Sequence, residues 1–182
     1  MFPFIMAGIF KLFGWNFYNV QIFNILISAF SCVLVYFITS KLFGRFAGIV
    51  AGTIFAFYHL FIFYCNYLQT EILYIFFMSL FLYLAIKLLK NPSMKTNIIS
   101  ALCFVFAYYT RIEILSLLPF ILFWIMLDNK VFNKQKLKYI CMFCLVFFLA
   151  LAPWIIRNYI IHHTFVMGTT NMGISLYIGN NQ

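Results

Sequence analysis

Ionisable side chains are scarce in this sequence, with 12 Lys and Arg and 3 Asp and Glu among 182 residues. Those that could carry chemistry apart from the lysine clusters are Glu71, Arg111, Glu113 and Arg157, the last followed by Asn158. Glu71 closes the aromatic and polar stretch Tyr64-Cys65-Asn66-Tyr67-Leu68-Gln69-Thr70. A fixed carboxylate there suits an acceptor, a sugar hydroxyl or a divalent cation. The structural alternative is an acid favoured at a helix N-terminus, with Thr70 or Gln69 as the cap. Arg111, in Thr110-Arg111-Ile112-Glu113, offers a planar fork of five donors that matches a phosphate or pyrophosphate. It could equally neutralise Glu113, since charges at membrane depth are commonly paired. Arg157, in Pro153-Trp154-Ile155-Ile156-Arg157-Asn158-Tyr159, reads as an oxyanion ligand or as an interfacial anchor.

Other residue types offer less. His162 and His163 are adjacent, so one helix face cannot easily present both to a single ion, and they read as loop residues. Cys141 and Cys144 form a C-x-x-C inside an apolar run and read as small packed side chains. The remaining cysteines, Cys32, Cys65 and Cys103, also lie in apolar sequence, so no disulfide framework is expected. A Gly-rich phosphate loop, an HExxH pair and a nucleophile elbow are all absent. No cofactor is expected, and a divalent metal beside Glu71 stays open.

The elements that must position these residues are membrane helices. Hydrophobic residues make up 66% of the chain and charged residues 8%, against about a quarter charged in a soluble domain. Apolar runs fall at about Val20 to Ser40, Phe46 to Phe63, Ile72 to Leu89, Asn97 to Tyr109, Ile114 to Leu127 and Tyr139 to Ile156. Their spacing suits a hydrocarbon slab about 30 Å thick. The expected fold is all-α: a polytopic transmembrane bundle of about six helices in one domain spanning 1–182. Residues 1–19, with Trp15 and Tyr18, read as a short external helix along the interface. Residues 157–182 turn polar and Gly-rich and read as the start of an external loop. The opening MFPFIMAGIF lacks the basic n-region of a signal peptide.

Charge sets an orientation. Lys41 and Arg45, then Lys87, Lys90 and Lys95, then Lys130, Lys134, Lys136 and Lys138 occupy alternate loops. Only Lys11, Arg111 and Arg157 lie on the other side, so the net charge of +9 reports topology and not a nucleic-acid patch. The lysine-rich loops are expected in the cytoplasm. Glu71, Arg111, Glu113, Arg157 and Asn158 then share the external side of the cell membrane. Asn97 to Tyr109 rises only about 20 Å as a helix, which sinks Arg111 and Glu113 below the outer surface.

The residues resemble a family, the polytopic glycosyltransferases of the C-type fold, of the type that includes protein mannosyltransferases and the lipid A aminoarabinose transferase. The likeness covers nearly the whole chain: Phe2-Pro3, Lys11-Leu12-Phe13-Gly14, Leu42-Phe43-Gly44-Arg45, Thr70-Glu71, Thr110-Arg111-x-Glu113 and Ala152-Pro153-Trp154-Ile155-Ile156-Arg157-Asn158-Tyr159. Thr170-Asn171-Met172-Gly173 and Tyr177-Ile178-Gly179-Asn180-Asn181 continue it. The resemblance implies an enzyme that takes a sugar from a polyprenyl-phosphate donor on the outer side and inverts its anomeric carbon. It implies that Arg111 and Arg157 bind the donor phosphate, and that Glu71, Glu113 and Asn158 bind acceptor or sugar.

Two departures concern shape. Ile112 and His59 stand where the family often has Pro, so the hairpin and the second span are expected to differ. A third concerns extent. The resemblance implies one more helix and a loop bearing the catalytic Asp upstream of Met1, so the chain reads as a truncated, inactive fragment with no catalytic base of its own. Its expected partners are the lipid bilayer, the polyprenyl-linked sugar and a glycan, lipid or protein acceptor, with no nucleic acid. The competing reading is a transporter or lipid-carrier flippase, in which the same charges would line a path across the bilayer, although no internal repeat supports it.

Overall fold

A computed structural model describes residues 2–127 and 133–163, without the side chains of 122, 124–127, 133–136 and 162. The Thr170 to Gly173 and Tyr177 to Asn181 blocks, Lys130, and the external-loop expectation beyond residue 163 lie outside the described residues. Apart from short links, the described chain is helical, an all-α bundle. In order it forms α1 (Phe2–Phe13), α2 (Phe17–Phe43), α3 (Arg45–Phe57), α4 (His59–Asn66), α5 (Glu71–Lys90) and α6 (Met94–Thr110). A 3-10 helix (Ile112–Leu117), α7 (Leu118–Leu127) and α8 (Asn133–His162) follow.

Among the described residues, α2, α5 and the Leu137–Ile161 stretch of α8 are each long and apolar enough to cross a membrane. The α3–α4 pair, bent by 46°, makes a fourth span if its two halves count as one. The other two apolar runs form shorter elements. α6 has 17 residues, about 25 Å of rise, and the run from Ile114 is divided between the 3-10 helix and α7. α8 does not stop at Ile156 but runs through His162 with Pro153 inside it, so residues 157–162 are helical.

Single residues set the breaks. Gly14 (φ +84°) ends α1, and Asn16 caps α2 by accepting from the Tyr18 N–H at 3.0 Å. Gly44 alone separates α2 from α3, and its φ of +97° is a conformation that L side chains avoid. Two further breaks fall where the sequence replaces an expected proline. Tyr58, before His59, has φ −69° and ψ 111°, and Arg111, before Ile112, has φ −146° and ψ 124°. Both hold the extended backbone that a following proline would impose. Both breaks form with no proline after them.

Packing follows from small and aromatic residues. Gly48 and Gly52, one turn apart on α3, let α2 approach closely, and the Cys32 thiol donates to the Gly52 carbonyl at 3.1 Å. The interior lies between α5, α6 and α8, where Phe81, Phe104, Phe143 and Phe147 are buried. Phe104 meets Phe81 edge-on at 5.2 Å and Phe143 at 5.7 Å, contacts worth about 1 kcal/mol each beyond area burial. Large apolar side chains such as Phe30, Phe46, Ile54 and Phe148 face outward, as lipid-facing surfaces require.

The helices also sort charge onto two ends. At one end the Lys90 ammonium donates to the Lys41 carbonyl at 3.1 Å, and Asn97 of α6 donates to the Tyr139 carbonyl of α8 at 2.9 Å. At the other, Gln21 near the start of α2 donates to the Asn66 carbonyl at the end of α4, and α5 begins. α1 packs over this second end through Phe2 and Ile9, which share a cluster with Val20 and Leu73.

Candidate functional site

The second end of the bundle carries the sparse charges. Glu71 is the first residue of α5, behind Thr70 in a helical conformation (φ −83°, ψ −11°) that makes no side-chain cap. The expected cap by Thr70 or Gln69 is therefore not formed. Glu71 sits where exposed N–H groups make the helix terminus positive. One of its oxygens, Oε1, accepts from Arg111 Nη2, while Oε2 is buried with no partner. The carboxylate is 17% exposed and the guanidinium 40%, so the acid is fixed and the arginine keeps an open face.

Arg111 reaches this position because α6 ends under it. Its backbone N–H still bonds the Ala107 carbonyl at 2.9 Å, and Thr110 Oγ1 donates to the same carbonyl at 2.6 Å. The residue then turns extended as the one-residue link to the 3-10 helix. Arg111 thus pairs with Glu71, forty positions earlier, rather than with Glu113. Glu113 is exposed in the first turn of the 3-10 helix, and Tyr74 lies one turn into α5.

Arg157 and Asn158 sit on α8. The guanidinium lies over the Trp154 indole, 5.2 Å from the ring centre, and Nη1 donates to Asn158 Oδ1 at 3.2 Å. Asn158 is buried, while Arg157 is exposed. A cleft of about 390 Å³ opens here, lined by Phe4 of α1, Phe106 and Tyr109 of α6, and Pro153, Trp154 and Arg157 of α8. Its walls are aromatic and its one charged lining residue is Arg157.

The structure thus forms two groups from the five residues singled out in the sequence. Glu71 and Arg111 pair where α5 and α6 meet, with Glu113 exposed on the 3-10 helix that follows, and Arg157 with Asn158 stands on α8. Tyr109, two residues before Arg111, links them, since its ring contacts Trp154 at 5.8 Å and its hydroxyl donates to the Ala150 carbonyl. Tyr109, Tyr74, Phe106 and Phe4 were not foreseen. In a chain with 26 Phe and 12 Tyr, single aromatics carry no signal, although a proline inside the last span marks a turn that lacks one helical donor. His163 ends α8 with φ 52°, and no three of His, Cys, Asp or Glu gather among the described residues.

This arrangement can do two things. Arginine donors beside an aromatic cleft suit an anionic head joined to an apolar tail. A buried carboxylate oxygen without a partner suits a hydroxyl donor. Residues 1–156 match a family model described as dolichyl-phosphate-mannose-protein mannosyltransferase. No curated protein and no solved structure matches the chain.

Proposed function

We propose, from the premise that the chain belongs to the dolichyl-phosphate-mannose-protein mannosyltransferase family, that the α5–α6–α8 end is where a membrane glycosyltransferase takes the phosphate of a polyprenyl-linked sugar. The observation that carries this reading is the cleft, where Arg157 stands against aromatic walls and Tyr109 connects it to the Arg111–Glu71 pair. The cleft accepts the isoprenoid next to the phosphate. The arginines hold the phosphate and stabilise the charge it gains as the sugar leaves, a role for donors aimed at developing charge. Glu71 Oε2, with Glu113 and Asn158 nearby on the same end, receives hydroxyls of the sugar or the acceptor. By the lysine distribution this end faces outward from the cell membrane.

The test is binding of undecaprenyl phosphate to the full chain in lipid nanodiscs. Arg111→Ala and Arg157→Ala are each expected to weaken it about tenfold, the scale of a charge-assisted hydrogen bond. Arg111→Lys keeps the charge but loses the fork and should fall between. Unchanged affinity in both alanine variants would overturn the assignment.

A further inference from the structure

The C-terminal turn of α6 is held from two sides. Arg111 ties it to α5 through Glu71, and Tyr109 ties it to α8. The second tie lands on a weak point. Pro153 has no N–H, so the Leu149 carbonyl one turn earlier loses its helical donor, and the ring crowds that turn. Ala150 is the next carbonyl in that turn, and it is the one that the Tyr109 hydroxyl reaches. The Tyr109 ring also contacts Trp154, the first residue after the proline, and Trp154 carries the Arg157 guanidinium on its face. A path of direct contacts therefore runs from the α6 terminus through Tyr109 and Trp154 to Arg157.

We infer that Tyr109 is a positioning residue for donor recognition, fastening the proline-containing turn of α8 to the end of α6 so that Arg157 is held over the cleft at the same end of the bundle as Arg111. The inference rests on the phosphate-binding reading above. The hydroxyl touches neither arginine and need not touch the donor. Its work is to fix where the distal half of α8 stands. A single phosphate can be shared by two guanidiniums only if their separation is held, since bidentate geometry tolerates little displacement.

Tyr109→Phe removes only the hydroxyl and keeps the ring in the cleft, so the bundle stays folded. Two readouts decide the matter on the full chain in nanodiscs. The first is the fluorine spectrum of 5-fluorotryptophan-labelled protein, whose three tryptophans give separable lines, with Trp154 assigned through Trp154→Phe. The second is the preference for undecaprenyl phosphate over undecaprenol, which isolates the head group from the tail. The expected result is a displaced or broadened Trp154 line and a preference reduced about fivefold, the weight of one net hydrogen bond. An unmoved line overturns the fastening, and a moved line with the preference intact overturns the positioning. Equal loss for both lipids also overturns it, since that is what general loosening of the cleft would produce. If the unsubstituted chain shows no preference for the phosphate, the donor reading fails and the inference falls with it. An intact preference in both the unsubstituted chain and Tyr109→Phe sinks the inference alone.

Discussion

Glu71 and Arg111 form the pair on which the site turns, and their unequal burial separates two roles. The acid is enclosed on α5, and the arginine keeps donors free on its open side. Removing either partner strands the other, at a cost between that of an exposed pair, about 0–1 kcal/mol, and that of a buried one, about 3–5 kcal/mol. A double-mutant cycle of Glu71→Gln, Arg111→Gln and the double variant, read by denaturant unfolding in micelles, is expected to show coupling of about 1 kcal/mol. Strict additivity would mean that the two side chains do not share an ion pair in the folded chain. The same cycle on Glu113 and Arg111 is expected to give near-zero coupling, because Glu113 is exposed.

At the scale of elements, the α2–α3 hairpin shows how a contact between helices sets the tolerance of one residue. A Cβ added to Gly48 would lie 1.9 Å from Ser40 Oγ and 2.9 Å from the Tyr36 carbonyl, so Ala must push the helices apart. Gly48→Ala should destabilise the chain by about 1–3 kcal/mol, the range for overpacking. Gly8→Ala in α1, where nothing lies within 4 Å, should be neutral or stabilising by up to about 1 kcal/mol through helix propensity. Thermal unfolding of the two variants in one detergent provides the comparison, and equal midpoints would refute the close packing of α3 on α2. Breaks at Tyr58 and Arg111 teach a related lesson. Extended backbone stands at both with no proline following, so a proline is not what sets the bend.

Across the whole molecule, charge divides between the ends: Lys41 and Lys90 meet at one, and Glu71 and Arg111 at the other. Such segregation predicts a topology with Lys87 to Lys95 cytoplasmic and Glu71 and His162 external. Single cysteines placed at 90, 113 and 162 in a cysteine-free background should react with an impermeant reagent on intact cells at 113 and 162 but not at 90. The reverse pattern would invert the orientation and place the proposed site in the cytoplasm.

Composition alone determined that this chain is a helical membrane bundle, because lipid leaves the backbone no partner but itself. The order of apolar runs and lysines also determined which polar residues share an end, since each crossing inverts the side on which the next loop emerges. Tertiary packing alone decided which of them touch. Arg111 takes Glu71 and not its chain neighbour Glu113, because α5 begins where α6 ends and the 3-10 helix leaves Glu113 exposed. Packing also chose Tyr109 from a dozen tyrosines, by setting its hydroxyl against the turn that Pro153 weakens. Sequence spacing reports the period of one helix, whereas the angle and depth at which two helices meet depend on side chains far apart in the chain.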